Sequence, residues 1–469
     1  VKESQRVADD LVVFVPGVMG SVLRDGDGRD VWNLSLGVGG RLATGMERFF
    51  DRLALPPDLG DEAPDGPDTL TPVGLLREPR IYPGLMPHVA YRELARHLGE
   101  LAEGRVAVFP YDWRLSNRHS AVLLKEFVAR ELQQWREKRR AADDEEPRVI
   151  FVCHSMGGLV ARYYLEVLGG RETARSLVTI GTPYSGAVKA VRILTGTLSG
   201  RKLLGIGDRL REALFTTART MPSVHQLLPT YQCVTGHSAG TRLDAVPLPD
   251  LDGAMVDDAF AFRRELDAAV RQNSAADLQA SRRAPYRVFA SGGKGEPTDV
   301  ALGLSAGTIT YTDRFGDTDR WQGDGTVPCL SATPPEWEDG ARVDWFRLGH
   351  TALPNDALLH RQLYDRYEAL DHRPYQVLGT GFGIDVPEAV AAGTPLPVDA
   401  MSEDPGLLLN ARLVSPDSGV TIERRRLRPD GDGGYSATFS PPPGVWMVEA
   451  EAAHAAGTPV QREAVLVLD

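Results

Sequence analysis

Between residues 148 and 168 an unbroken apolar run stops at Cys153-His154-Ser155-Met156-Gly157 and passes directly into a helical stretch. No other feature constrains the fold as strongly. An apolar run without polar alternation fits a strand covered on both faces, and therefore a parallel sheet flanked by helices. A serine between such a strand and helix sits on a sharp turn at the sheet's carboxyl edge. Gly157 permits the close turn, and the helix N-terminus supplies unpaired N–H groups that favour a developing negative charge. Cys153 stands at the first motif position, where glycine is commonest; it is also small.

The same alternation recurs along the chain. Strands are predicted at residues 11–15, 105–109, 148–153, 176–180, 286–290 and 343–348, and helices at 91–101, 117–142, 157–168 and 355–370. In the second helix Leu124, Val128, Leu132 and Trp135 form one apolar stripe. Repeated strand–helix units give an α/β fold with a mostly parallel sheet. Residues 32–79, rich in Gly, Pro and Asp, are expected to be a long lid-type excursion. There Trp32, Phe49, Phe50 and Leu53 would meet a lipid surface. Residues 186–285, helical and without a further clear parallel strand, are expected to form a cap. Beyond Asp371 seven short alternating stretches predict an immunoglobulin-like sandwich over residues 375–469.

The chain has 469 residues, with 52 Lys+Arg against 64 Asp+Glu and a net charge of −12. That balance excludes nucleic acid as the default partner, because polyanion binding needs a basic footprint. The most apolar opening stretch, residues 11–23, is broken by Pro16, Gly17 and Gly20 and is too short to span a bilayer. Residues 1–10 are polar, without the apolar centre of a signal peptide. The 3 cysteines, Cys153, Cys233 and Cys329, have neither metal-ligand spacing nor a disulfide pattern. A cytoplasmic compartment is expected, with secretion after removal of a leader as the alternative. No metal or cofactor is implied.

A serine hydroxyl needs a base, and the base needs an orienting acid. His350 follows a predicted strand through Gly349 and precedes the last helix, where a loop can bring it over the turn. His154 adjoins Ser155 but should point away from it, and His360 lies within a helix. Asp324, in Gly323-Asp324-Gly325-Thr326-Val327-Pro328, is a turn carboxylate; Asp317 and Asp319 are rivals, and Asp344 reads as a strand residue. The order Ser155, Asp324, His350 is the one an α/β-hydrolase sheet produces. Pro16-Gly17-Val18-Met19-Gly20-Ser21 can aim the N–H of Val18, or of Met19, beside that of Met156. Gly236-His237-Ser238-Ala239-Gly240 matches G-x-S-x-G by letter. It follows a poor buried strand (residues 230–234) and precedes prolines, so Ser238 is read as a loop serine.

These motifs resemble the lecithin:cholesterol acyltransferase family, which includes lysosomal phospholipase A2. The resemblance rests on the segment from Val15 to Ser21, Tyr111-Asp112-Trp113-Arg114, His154-Ser155-Met156-Gly157-Gly158, Gly181-Thr182-Pro183, Leu227-Leu228-Pro229 and the Asp324 turn. It implies an α/β-hydrolase with lid and cap over residues 10–370, acting on lipid acyl esters through a serine acyl-enzyme. It also implies Ser155, Asp324 and His350 as triad, and Val18 with Met156 as oxyanion donors. Met19, Trp32, Tyr111, Trp113 and Arg114 would lie at the substrate pocket, although the Tyr-Asp-Trp-Arg run reads equally as a buried corner.

The activity expected is of phospholipase A type. An esterase for small soluble esters and an inert hydrolase fold serving as a scaffold are the alternatives. Expected partners are a lipid or acyl-ester substrate, a membrane surface met peripherally, and a regulatory protein on the sandwich, whose Arg424, Arg425, Arg426 and Arg428 suit acidic groups. Such a regulated enzyme would be a membrane-damaging effector. Two departures stand out. No cysteine occurs between residues 32 and 79, where extracellular and lysosomal relatives close the lid loop with a disulfide. The sandwich lies outside the resemblance, so soluble-ester hydrolysis is expected to survive its removal.

Overall fold

In the computed structural model the strand Leu11–Val15 (β1) sends Leu11, Val13 and Val15 into one apolar core and Val12 and Phe14 into another. Both faces are thus covered, which is why the strand carries no polar alternation. The remaining strands of its sheet are Val106–Val108 (β2), Val149–His154 (β3), Ala174–Ile180 (β4), Arg287–Gly293 (β5) and Asp344–Phe346 (β6). All pair in parallel, in the order β6-β5-β4-β3-β1-β2. From β1 the chain turns one way to β2 and the other way to β3. The loops after β1 and β3 therefore part at a switch point, where open α/β sheets bind ligands.

The structure describes residues 10–32, 50–57, 59–66, 69–76, 91–103, 105–138, 146–197, 203–204, 208–235, 241–248, 251–305, 308–314, 322–337, 342–369, 382–402, 404, 406–416, 418–430, 433–453 and 460–468. Among them no helix is long and apolar enough to cross a membrane.

Two expectations for the insertions need correction. Trp32 is not an exposed lid residue: Asp30–Trp32 is a strand, antiparallel to Ser21–Arg24, which also pairs with Thr71–Leu75. Trp32, Phe50 and Leu53 are all buried in the main core, because large apolar side chains here find a wall to pack on. Phe49 lies outside the described residues. The cap region also holds strands. Gln232–Thr235, with Cys233 and Val234 buried, joins Thr241–Arg242, Ala301–Ser305 and Thr308–Thr312 in a four-stranded sheet. The helix Gly253–Gln279 packs on the helix Gly157–Glu166 (α1), so it belongs to the layer over the parallel sheet.

Residues 382–468 form a β-sandwich around its own core. Its strands are Phe382–Asp385 (β7), Ala389–Ala391 (β8), Leu396–Ser402 (β9), Leu409–Val414 (β10), Thr421–Arg426 (β11), Arg428–Pro429 (β12), Gly434–Phe439 (β13), Gly444–Ala452 (β14) and Gln461–Leu468 (β15). One sheet runs β7-β9-β13-β12 and the other β11-β10-β14-β15-β8. Leu409, Ala411 and Leu413 point inward while Asn410 and Arg412 between them are half-buried, as a strand period of two requires. Beyond β8 the second sheet continues into Leu203–Leu204 of the hydrolase portion, paired in parallel. The sandwich therefore shares backbone hydrogen bonds with the cap.

Candidate active site

Ser155 leaves β3 with φ +51, a left-handed conformation that costs a side-chain-bearing residue energy unless its surroundings enforce it. Here they do. Its N–H donates to the Ile180 carbonyl at 2.8 Å, and its carbonyl accepts from Thr182 Oγ1 at 2.9 Å. A side chain at Gly157 would overlap the Val15 and Pro16 carbonyls, and one at Gly158 would overlap Thr182. Glycine at both positions lets α1 begin directly beneath the serine. Met156 is helical (φ −55, ψ −29) and stands at the N-terminus of α1, so its N–H is one of the donors the helix cannot use.

His350 follows β6 and lies over this turn. Its Nε2 is 2.9 Å from Ser155 Oγ, and its Nδ1 is 2.7 Å from Asp324 Oδ2. Asp324 Oδ1 accepts the N–H groups of Thr326 at 3.0 Å and Val327 at 2.6 Å, and its carbonyl accepts the His350 N–H at 2.8 Å. All three side chains are buried, Ser155 at 5% exposure. Hydroxyl, imidazole and carboxylate thus form one line, with each group's orientation fixed by the next. Asp344 is a buried residue of β6, and Asp317 and Asp319 lie outside the described residues.

The loop after β1 presses against the serine: the Cβ position of Gly17 falls 2.9 Å from Ser155 Cβ. Met19 has φ +63, and its carbonyl accepts the Trp32 indole N–H at 2.8 Å. Two further residues, neither assigned such a part from the sequence, tie this loop to the histidine. Gly17 N–H donates to Tyr91 Oη at 2.9 Å, Tyr91 Oη lies 2.8 Å from His154 Nδ1, and His154 Nε2 lies 3.3 Å from the His350 carbonyl. With Nε2 donating, Nδ1 accepts from the tyrosine, so the bonding partners set the His154 tautomer. Burial pushes the Tyr91 phenol well up, which keeps it a neutral donor. Burial also pushes up the thiols of Cys153 and Cys329, the latter to about 12, so neither competes as a thiolate.

Beside Ser155 opens a cavity of about 810 Å³, its mouth included. Val18, Met19, Phe50, Trp113, Leu214 and Met221 are among its walls, and among the described residues Lys189 is the only ionisable one that lines it. That lysine bonds Glu388 at 2.8 Å. Of the residues the sequence placed at the pocket, Met19 and Trp113 line it. Trp32, Tyr111 and Arg114 stand behind the wall instead, because their polar atoms are used up in fixing it. Trp32 meets Trp113 edge to face at 5.1 Å. Tyr111 Oη donates to the Pro16 carbonyl at 2.9 Å. Arg114, 0% exposed, clamps Asp112 through two bonds of 2.9 and 2.7 Å and reaches the Leu53 carbonyl at 3.3 Å. The Tyr-Asp-Trp-Arg run is a buried corner that presents one indole to the cavity.

Ser238 lies outside the described residues. The strand after it, Thr241–Arg242, runs antiparallel to Gln232–Thr235; a nucleophile turn needs a helix there.

Residues 87–269 match the model of the lecithin:cholesterol acyltransferase family. Among solved structures the chain is similar to the Tle4–Tli4 complex (17% identity over 76% of this chain and 97% of that one, TM-score 0.45). It is similar also to the propeptide form of Bacillus licheniformis lipase BlEst2 (14%, 97% and 73%, TM-score 0.37). A third likeness is to phospholipase PlaB from Legionella pneumophila in complex with thio-NAD (10%, 98% and 90%, TM-score 0.28). No curated protein matches the sequence. The matched residues, 87–269, carry the Ser155 turn and the helices around it.

Proposed function

We propose that this chain is a serine-dependent enzyme that cleaves or transfers acyl groups of lipid esters, with phospholipase A-type action as its main chemistry. The observation that carries the reading is the unbroken line Ser155–His350–Asp324 at the mouth of an apolar cavity. Ser155 Oγ attacks the acyl carbonyl as His350 Nε2 takes its proton. Asp324 holds Nδ1–H and stabilises the imidazolium. The oxyanion that forms is met by the N–H groups of Val18 and Met156, at the loop after β1 and the start of α1. His350 then returns the proton to the leaving alcohol. Water, or an acceptor alcohol, releases the acyl group by the reverse path.

The cavity favours a long acyl chain over a small soluble ester. Its walls are almost wholly apolar and offer a hydrocarbon tail about 25 cal/mol for each Å² removed from water. The short bonds along the line weigh against an inert scaffold. A regulatory protein on the sandwich belongs to the same proposal, supported by the exposed arginines of β11. A serine-directed fluorophosphonate should label wild type and not S155A. Incubation with a mixed lipid extract should release free or transferred acyl chains, identified by mass spectrometry. An unlabelled wild type would remove the reading.

A further inference from the structure

Near the catalytic line lies a buried carboxylate with no part in the chemistry above. Glu296, 4% exposed, follows β5 and stands between the Asp324 and His350 loops and the sandwich. Its N–H donates to the Gly323 carbonyl at 3.1 Å, and its backbone bridges Asp324 in parallel. Its Oε1 accepts the N–H of Ile384 in β7 at 2.9 Å. Gly325, next to Asp324, has its Cβ position 3.6 Å from Glu296 Cβ, and Gly349, next to His350, has its own 3.8 Å from Glu296 Cγ. Its side chain therefore stands beside the residue next to the acid and the residue next to the base, and it bonds the edge strand of a separate core. Thr298 completes the joint: its Oγ1 accepts from Gly325 N–H at 2.9 Å and donates to the Glu296 carbonyl at 2.9 Å.

The sandwich is seated on this point without slack. A side chain at Gly383 of β7 would overlap the Gly295 carbonyl and fall 2.9 Å from Glu296 Oε1. In β15, Gln461 Nε2 donates to the Arg347 carbonyl at 2.6 Å, three residues before His350. A side chain at Gly349 would overlap the Glu463 carboxylate, also of β15. Burying a carboxylate is costly unless it is hydrogen-bonded, and a charge-assisted bond to a strand N–H is among the stronger ones available. Such a bond has one favoured geometry, so it transmits the sandwich's position to the turn.

We propose that Glu296 is a positioning residue through which the C-terminal sandwich fixes the Asp324 and His350 loops, making the sandwich a working part of the active site. The proposal rests on the serine-hydrolase reading above. It reverses the expectation that soluble-ester hydrolysis survives loss of the sandwich. Most of the cavity wall, Phe50, Trp113, Leu214 and Met221 included, comes from other segments, and only Thr326 and Val327 come from the Asp324 turn, so the effect falls mainly on turnover.

The test uses the full chain, a soluble p-nitrophenyl ester, and active sites counted by fluorophosphonate labelling so that only folded molecules enter kcat. E296A should lower kcat per labelled site by about 10- to 100-fold, the scale of a sub-ångström to ångström misplacement of catalytic groups, with KM within about twofold. E296Q keeps an acceptor for Ile384 N–H and should recover kcat to within about threefold of wild type. G383A, placed in the sandwich with Glu296 intact, should lower kcat as E296A does. Wild-type kcat per labelled site in E296A or G383A overturns the inference alone, as does an E296Q no better than E296A. A wild type that takes no label overturns the serine-hydrolase reading and this inference with it.

Discussion

At the carboxyl edge of the parallel sheet the glycines are crowded, while at two turns of the sandwich they stand in the open. A side chain at Gly17, Gly157, Gly158 or Gly293 would run into neighbouring backbone or side-chain atoms. Gly393 and Gly419 have positive φ and nothing within 4 Å of a Cβ position. The first group lets loops from β1, β3, β4 and β5 close around Ser155; the second turns the chain between strands. The sandwich stands by side-chain alternation around one core, whereas the sheet edge is held by backbone approach. The proposed chemistry gathers where approach dominates, because such groups must be held within bonding distance of each other before any substrate arrives.

The largest effect that sharpens this contrast is at the crowded edge itself. S155A should lower turnover by roughly 10⁶-fold, the scale seen when a triad serine is removed, and S238A should leave it within a few-fold of wild type. Turnover on a soluble ester measures both. An exchange of the two outcomes would mean that the nucleophile lies off the crowded edge. Next comes D324N, which should keep the fold and lose on the order of 10⁴-fold in turnover, because the imidazole then settles in the wrong tautomer. Full activity there, with loss at Asp317 or Asp319, would move the acid along its loop.

A matched pair of glycine variants tests the comparison directly. In G158A the new methyl must displace Thr182, whose Oγ1 holds the Ser155 carbonyl at 2.9 Å. Overpacking of this kind costs about 1–3 kcal/mol, and turnover should fall by roughly tenfold or more as the serine shifts. G393A meets no atoms and costs about 1–2 kcal/mol for its left-handed φ. It should lower the melting temperature without changing kcat. Equal kinetic losses in the two variants would break the distinction between approach and turn.

The same distinction explains what was legible in the sequence. The parallel strands and the Ser155 turn could be read because local signals coincide: a continuous apolar run, a small residue, and a helix stripe in order. The insertions misled because composition reports solvent preference and not packing. A Gly- and Pro-rich text around Trp32, Phe50 and Leu53 looks like a lid, yet those three side chains are core. Tyr91, His154 and Glu296 went unassigned because their roles depend on partners 63, 74 and 88 residues or more away. For Glu296 one local signal existed: Gly292 and Gly293 end β5, and a Cβ at Gly293 would overlap the Leu348 carbonyl, so glycine there announces a close backbone approach.

The smallest effect on turnover belongs to the far edge of the sandwich. Arg424 and Arg426 are exposed on β11, which among the described residues pairs only with β10 and so forms a sheet edge. Arg424 stands opposite Arg412, whose own partner is Glu449 at 2.8 Å. Like charges facing across strands destabilise by a few tenths of a kcal/mol, so R424E should not weaken the fold. Two functions fit such an edge: attraction to acidic head groups or an acidic partner, and protection against edge-to-edge pairing. The R424E/R426E variant separates them. Attraction is worth about 1 kcal/mol for each basic residue near an anionic surface. The variant should therefore bind anionic vesicles roughly 30-fold more weakly at low salt, with the difference fading as the Debye length shrinks toward about 3 Å in 1 M salt. Soluble-ester kcat should stay at the wild-type level, since these arginines lie outside the joint at Glu296. If vesicle binding is unchanged while the variant self-associates on standing, the arginines guard the edge, and the surface for lipid or partner must lie elsewhere on the molecule.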